Sequence, residues 1–224
     1  MKKIGIIGAM PSELKDLRKM FGEAEIVRKS GFDFHINTVG ERQIINACCG
    51  ISKVNAAVCC QAMIDNFQID AVINAGIAGG MNDDVKVCDI VISSDVLPHD
   101  LDIHFLENYP PYCGAFRADA NLIDMARKVC DEQGYKSFVG RIVSGEAFIS
   151  DIKIKLDIVR RLSPYAVDME TSAIGHCCYL NETPFVSVRC ISDNADDEGE
   201  ISFSEFEKIA ARRVAEIVYK MVIS

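Results

Sequence analysis

The chain has 224 residues, 49% of them apolar and 25% charged, with a formal net charge of −9 at pH 7. That composition belongs to a globular protein with one sizeable core and excludes a disordered chain. So acidic a surface opposes phosphate backbones and anionic membranes, so neither nucleic acid nor a membrane is an expected partner, whereas a single nucleoside is compatible with it.

The opening run Ile4-Gly5-Ile6-Ile7-Gly8 follows two lysines, but it is too short for a secretory signal and breaks at Pro11-Ser12-Glu13. No stretch approaches the roughly 18 apolar residues that span a bilayer. A soluble, cytoplasmic protein is expected. The ten cysteines include the adjacent pairs Cys48-Cys49, Cys59-Cys60 and Cys177-Cys178, with no C-x-x-C spacing. Adjacent side chains on a strand point to opposite faces and grip one metal poorly, so the thiols read as small buried hydrophobes in a reducing compartment.

In chain order, residues 3–9 form an apolar run that predicts a strand buried on both faces. Pro11 suits a first helical position, and Glu13, Leu14 and Leu17 begin a helical period. Two β-rich runs, 32–39 and 43–49, flank Gly40-Glu41-Arg42 and predict a hairpin. Ser52 caps a helix reaching about Phe67. A buried strand over 71–75 is expected to close at Gly76-Ile77-Ala78-Gly79-Gly80, and another strand covers 87–96. Residues 99–116 read as a loop. The remainder alternates: helix 120–132, strand 138–144, helix 151–162, strand 166–169, helix 170–179, strand 185–191 and a final helix over 203–221. Such alternation without a disordered linker predicts one α/β domain, residues 1–224, around a mostly parallel sheet.

In such sheets ligands bind beyond the carboxyl ends of the strands. Glu13, Glu170 and Asp193 all fall there, and each has a bland explanation: dipole complement for Glu13, helix start for Glu170, turn cap for Asp193. Their occurrence at one end of one sheet favours a site. Gly5-x-x-Gly8 does not complete a dinucleotide loop, and a carboxylate at the following helix start would repel a pyrophosphate.

The combination of Gly8-Ala9-Met10-x-x-Glu13, Asn74-Ala75-Gly76-Ile77-Ala78-Gly79-Gly80, Val143-Ser144-Gly145-Glu146-Ala147-Phe148-Ile149, Val167-Asp168-Met169-Glu170 and Ile191-Ser192-Asp193 resembles the methylthioadenosine/S-adenosylhomocysteine nucleosidases of the nucleoside phosphorylase superfamily. The resemblance implies a three-layer α/β/α sandwich around a mixed, mostly parallel central sheet. It implies hydrolysis of a purine N-glycosidic bond, with no cofactor and no metal. Glu13 would be the general base that activates water. Glu170 and the Met169 backbone would hold the ribose hydroxyls, with Arg189 beside them, and Asp193 would be the acid at the purine. Phe148 would stack on adenine and Ile149 would offer backbone groups to its edge. Ile51, Ile103 and Phe203 would line the pocket for base and alkylthio tail, with Ile77, Ala78, Gly79 and Ser192 completing the substrate-binding set. The chemistry suits these types: positive charge develops on the sugar and negative charge on the departing purine, and a buried aspartate with a raised pKa can protonate the latter.

Two departures from the family pattern stand out. Ile77 replaces a usual serine or threonine beside the nucleophile, and Asp168 replaces a glutamate. The 99–116 loop packs across a homodimer interface in the family, so a homodimer is expected. A phosphorolytic enzyme and a non-catalytic nucleoside-binding relative are the competing readings, the first disfavoured because Glu13 and Ile77 are poor company for a phosphate dianion. His99 and His104 read as solvated loop residues, His176 as a core residue, and Asp196-Asp197-Glu198-Gly199-Glu200 as a solvated, mobile acidic loop beside the site.

Overall fold

The computed structural model describes residues 1–196 and 199–223. Its strand β1 (Lys3–Gly8) is buried from Ile4 onwards, because both of its faces are covered. It pairs in parallel with β4 (Arg42–Cys48) on one side and β5 (Ala71–Gly80) on the other. Beyond β4 lie β3 (Phe32–Val39) and β2 (Glu25–Lys29), both antiparallel to their neighbours. The predicted β3–β4 hairpin turns through Gly40 at φ 60°, where glycine carries no steric cost.

On the other side, β10 (Phe185–Asp193) runs parallel to β5 and β6 (Ile90–Pro98) antiparallel to β10. Then β8 (Ser137–Ser144) runs parallel to β6, and the short β9 (Ala166–Asp168) parallel to β8. β9 returns to β5 and pairs antiparallel with Gly79 and Gly80. Five strands, β5-β10-β6-β8-β9, thus close into a ring, while the β1-β4-β3-β2 half stays open. A two-residue β7 (Phe116–Arg117) adds to β6.

Helices cover both faces, as the three-layer expectation requires. An apolar cluster that includes Ile4, Ile6, Ile73, Val186 and Val188 packs against α1 (Pro11–Phe21), α4 (Ala120–Gln133) and α7 (Gly199–Ile223). A second cluster, with Ile7, Ile45, Val72 and Ile142, packs against α2 (Lys53–Phe67), α5 (Ile152–Leu162) and α6 (Thr171–Leu180). Burying these side chains contributes on the order of 1.5–3 kcal/mol each. All ten cysteines are unpaired and none is exposed.

Four expectations need correcting. β5 does not close at Gly76 but runs to Gly80, because β10 flanks it up to Asp193 and β9 pairs with its end. The 99–116 segment holds α3 (Ile103–Asn108), whose first turn is capped by the Asp102 carboxylate accepting from His104 N at 3.0 Å. β6 starts at Ile90, since Lys86 to Asp89 form a turn in which Cys88 takes φ 72°. α7 begins at Gly199, so the tail of the acidic segment is helical, while Asp197 and Glu198 lie outside the described residues.

Candidate active site

Glu13 occupies the third position of α1, where its Oε2 accepts from the amides of Ala9 at 2.7 Å and Met10 at 2.9 Å. Its Oε1 reaches across the sheet to the amide of Ile77 at 2.9 Å and lies 3.7 Å from Arg189 Nη1. This approach requires Gly76: a Cβ there would stand 2.3 Å from Glu13 Oε1 and 2.1 Å from Arg189 Nη1. Burial pushes the Glu13 carboxyl above its ordinary range, against the Arg189 charge and the three amides.

Arg189, 1% exposed on β10, is tied down on every side. Its Nη2 meets Asp168 Oδ2 at 2.7 Å and donates to Asn74 Oδ1 at 2.6 Å and Thr171 Oγ1 at 2.8 Å. Ser187 Oγ donates to the same Asn74 oxygen at 3.1 Å. Asp168 also accepts from Ser144 Oγ at 2.5 Å, from the Thr171 hydroxyl, and from the amides of Glu170 and Thr171, and so caps the start of α6. A buried charge held by this many partners is fixed in place.

Glu170 stands at the N-cap of α6 and is 4% exposed; its Oε1 accepts from Ser52 N at 3.1 Å. Burial and the neighbouring Asp168 push its carboxyl up to about 7, opposed by Arg189 and the Ser52 amide. Asp193 ends β10. Its Oδ1 accepts from Ala195 N and its Oδ2 from Ser192 Oγ, each at 2.8 Å, and burial raises it against those two bonds. Gly79 leaves it room, since a Cβ there would lie 2.9 Å from Asp193 Oδ1.

Glu13, Glu170 and Asp193 line one cavity of about 270 Å³. Its other walls are largely apolar: Met10, Ile51, Ile77, Phe148, Val167 and Phe203. Phe148, 43% exposed, meets Phe203 edge-on at 5.8 Å between ring centroids. Carboxylates raised by burial in an apolar hollow are suited to proton transfer, since burial makes each hold a proton more readily than a carboxylate in water does. Among the described residues no lysine or arginine lines this cavity, and Arg189 beneath it is already engaged.

Comparison with known proteins agrees with this geometry. Residues 3–223 match the family model described as the phosphorylase superfamily. A 5'-methylthioadenosine/S-adenosylhomocysteine nucleosidase of an Exiguobacterium species is 37% identical over 96% of this chain and 95% of its own. The chain belongs to this nucleosidase family. The Neisseria meningitidis member in complex with methylthio-immucillin-A is 35% identical and superimposes with a TM-score of 0.94, covering 100% of this chain and 99% of that one. An Asp-to-Asn mutant of the Helicobacter pylori member, with 5'-methylthioadenosine in its active site, is 29% identical with a TM-score of 0.94, over 99% and 98% of the two chains.

Most residues that the family resemblance singled out meet at the cavity: Glu13, Ile51, Ile77, Ala78, Gly79, Phe148, Met169, Glu170, Ser192, Asp193 and Phe203 line it. Ile149 lies in a small adjoining recess with Phe148 and Asp193, and Arg189 lies beneath, against Glu13. Ile103 is the exception. It sits on α3 in a separate groove with His99, Asp100 and Arg161, because the 99–116 segment turns away from the cavity within its own chain. His99 borders that same groove, and the exposed His104 contacts Asn108. His176 is half-buried with its ring stacked on Phe116 at 4.3 Å, as a packed helix residue should be.

The three carboxylates follow or end β1, β9 and β10, as expected; β9 is antiparallel to β5, pairing Val167 with Gly79 and Ala166 with Gly80, and Glu170 just past its carboxyl end reaches the same cavity as Glu13 and Asp193. The polar base of the site, Asn74, Thr171 and Ser187 around Arg189, has no role assigned by the resemblance, although Asn74 opens one of its motifs. Its signal was an asparagine in the otherwise apolar run 71–75 and a threonine directly after Glu170.

Proposed function

We propose that this nucleosidase hydrolyses the N-glycosidic bond of 5'-methylthioadenosine and S-adenosylhomocysteine, releasing adenine and the thioribose product. One observation carries the reading: three buried carboxylates, each pushed upward, ring a single apolar cavity. Asp193, whose carboxyl burial pushes upward, acts as the acid and delivers a proton to the purine ring nitrogen as the bond to the sugar lengthens. Glu13, held by three amides, accepts the proton of the water that attacks the anomeric carbon. Glu170 holds the ribose hydroxyls, and its negative charge steadies the cationic sugar. Phe148 stacks on the base, with Phe203 at its edge.

Water is favoured over phosphate as nucleophile, because a dianion entering a hollow lined by the four carboxylates Glu13, Asp168, Glu170 and Asp193 would meet no uncommitted cation among the described residues. The Asp193→Asn variant tests the acid directly. Its adenine release should fall by about 100- to 10,000-fold, and an undiminished rate would remove Asp193 from the mechanism.

The working form is a homodimer. Val54, Val58, Leu101 and Leu180 are exposed and line a groove of about 680 Å³ between α2 and α6, and an apolar face of this kind is suited to a second copy. The 99–116 segment of that copy would then supply the tail contact that Ile103 does not make in its own chain. The ten unpaired thiols favour a reducing cytosol. Among the described residues no helix is long and apolar enough to cross a membrane.

A further inference from the structure

Ser52, just before α2, adopts φ 109° and ψ 143°, a conformation that residues with a side chain rarely take. It therefore needs something to hold it. Its own hydroxyl oxygen accepts from Val54 N at 3.2 Å. The stronger restraint lies one residue on, where three hydrogen bonds form a closed ring. Lys53 N donates to Glu146 Oε1 at 3.1 Å, Glu146 N donates to Asp100 Oδ2 at 3.0 Å, and Asp100 Oδ1 accepts from Lys53 Nζ at 2.5 Å.

This ring lies outside the cavity but touches it at two points. Ser52 N, beside Lys53, donates to Glu170 Oε1 at 3.1 Å. Phe148, two residues past Glu146, forms a cavity wall. We infer that Glu146, clamped by Asp100 and Lys53, is a positioning residue: it pins the first turn of α2 so that the Ser52 amide stays on Glu170, and it sets the approach of the Phe148 loop. The inference deepens the proposed function, resting on Glu170 as the ribose anchor.

The bond from Ser52 favours the ionised form of Glu170. The other groups that face Glu170 are Asp168 and Arg189 behind it, Glu13 across the cavity and the thiol of Cys49. Replacing Glu146 leaves all four in place, and because Glu146 also lines the groove assigned to the second copy, a change in Glu170 titration isolates the clamp once sedimentation shows the variant in the same oligomeric state as wild type.

The test compares Glu146→Ala with Glu146→Gln, which keeps an oxygen that can accept from Lys53 N. For Glu146→Ala, kcat/KM for methylthioadenosine should fall about five- to tenfold with the acid limb of its pH profile displaced upward, while Glu146→Gln stays near wild type. A second readout needs no activity: carbon-13 NMR titration of the Glu170 carboxyl, assigned with Glu170→Gln. It should show the same upward displacement in Glu146→Ala. A wild-type Glu170 titration curve in a folded Glu146→Ala protein would overturn the inference. Failure of the wild-type enzyme to release adenine would instead overturn the proposed function, and the NMR titration would still decide the clamp.

Discussion

A carboxylate at the third position of a helix caps the chain before it, and Glu13 Oε2 does this for Ala9 and Met10. The other oxygen is free for a second task and points at Ile77 N beside the cavity. Ile77 meets Glu13 through its backbone amide, while its side chain is 6% exposed in the apolar cluster under α7. The departure from the family's serine or threonine thus leaves the amide that orients the base intact. Ile77→Ser should cost about 2–3 kcal/mol in urea unfolding, through lost burial, with adenine release reduced less than tenfold. Glu170 makes a pH-dependent prediction. A carboxyl raised from 4.5 to about 7 contributes stability that is complete below 4.5 and lost as pH rises through 7. Glu170→Gln should therefore gain on the wild type in thermal unfolding across that window, by up to about 3 kcal/mol on the alkaline side.

At the scale of elements, the apolar runs of β1 and β5, the Gly40 hairpin and the Ser52 and Pro11 helix starts were legible, because period and end signals act locally. What escaped was non-local. The extension of β5 through Gly76–Gly80 depends on β10 and β9 lying alongside, and glycine-rich sequence by itself reads as a turn. The antiparallel return of β9 decides where Glu170 stands, yet its three residues carry no directional signal. The site residues were recognisable by family resemblance, whereas Asn74, Thr171 and Ser187 become functional only once Arg189 is seen among them. The early start of α7 also matters, since it brings Phe203 against Phe148 at the cavity mouth. Phe203→Ala should raise KM about tenfold with kcat nearly unchanged, because the ring contributes binding and touches no transferred proton. An equal fall in kcat would place Phe203 in the chemical step.

Over the whole molecule, the ring of strands supports the site and the exposed faces of α2 and α6 suit a partner. If those faces join two copies, sedimentation equilibrium should give twice the chain mass of 24.7 kDa. Val58→Asp, placing a charge on that face, should give monomers with a raised KM for nucleosides carrying long alkylthio tails. A wild type that sediments as a monomer would contradict the dimer. The nucleophile is identified most directly by following adenine release from methylthioadenosine in buffer free of phosphate while identifying the sugar product. A hydrolase of this kind should be fully active without phosphate and give a free sugar as product, unchanged when phosphate is added. Release that starts only on adding phosphate, with a sugar 1-phosphate as product, would contradict hydrolysis.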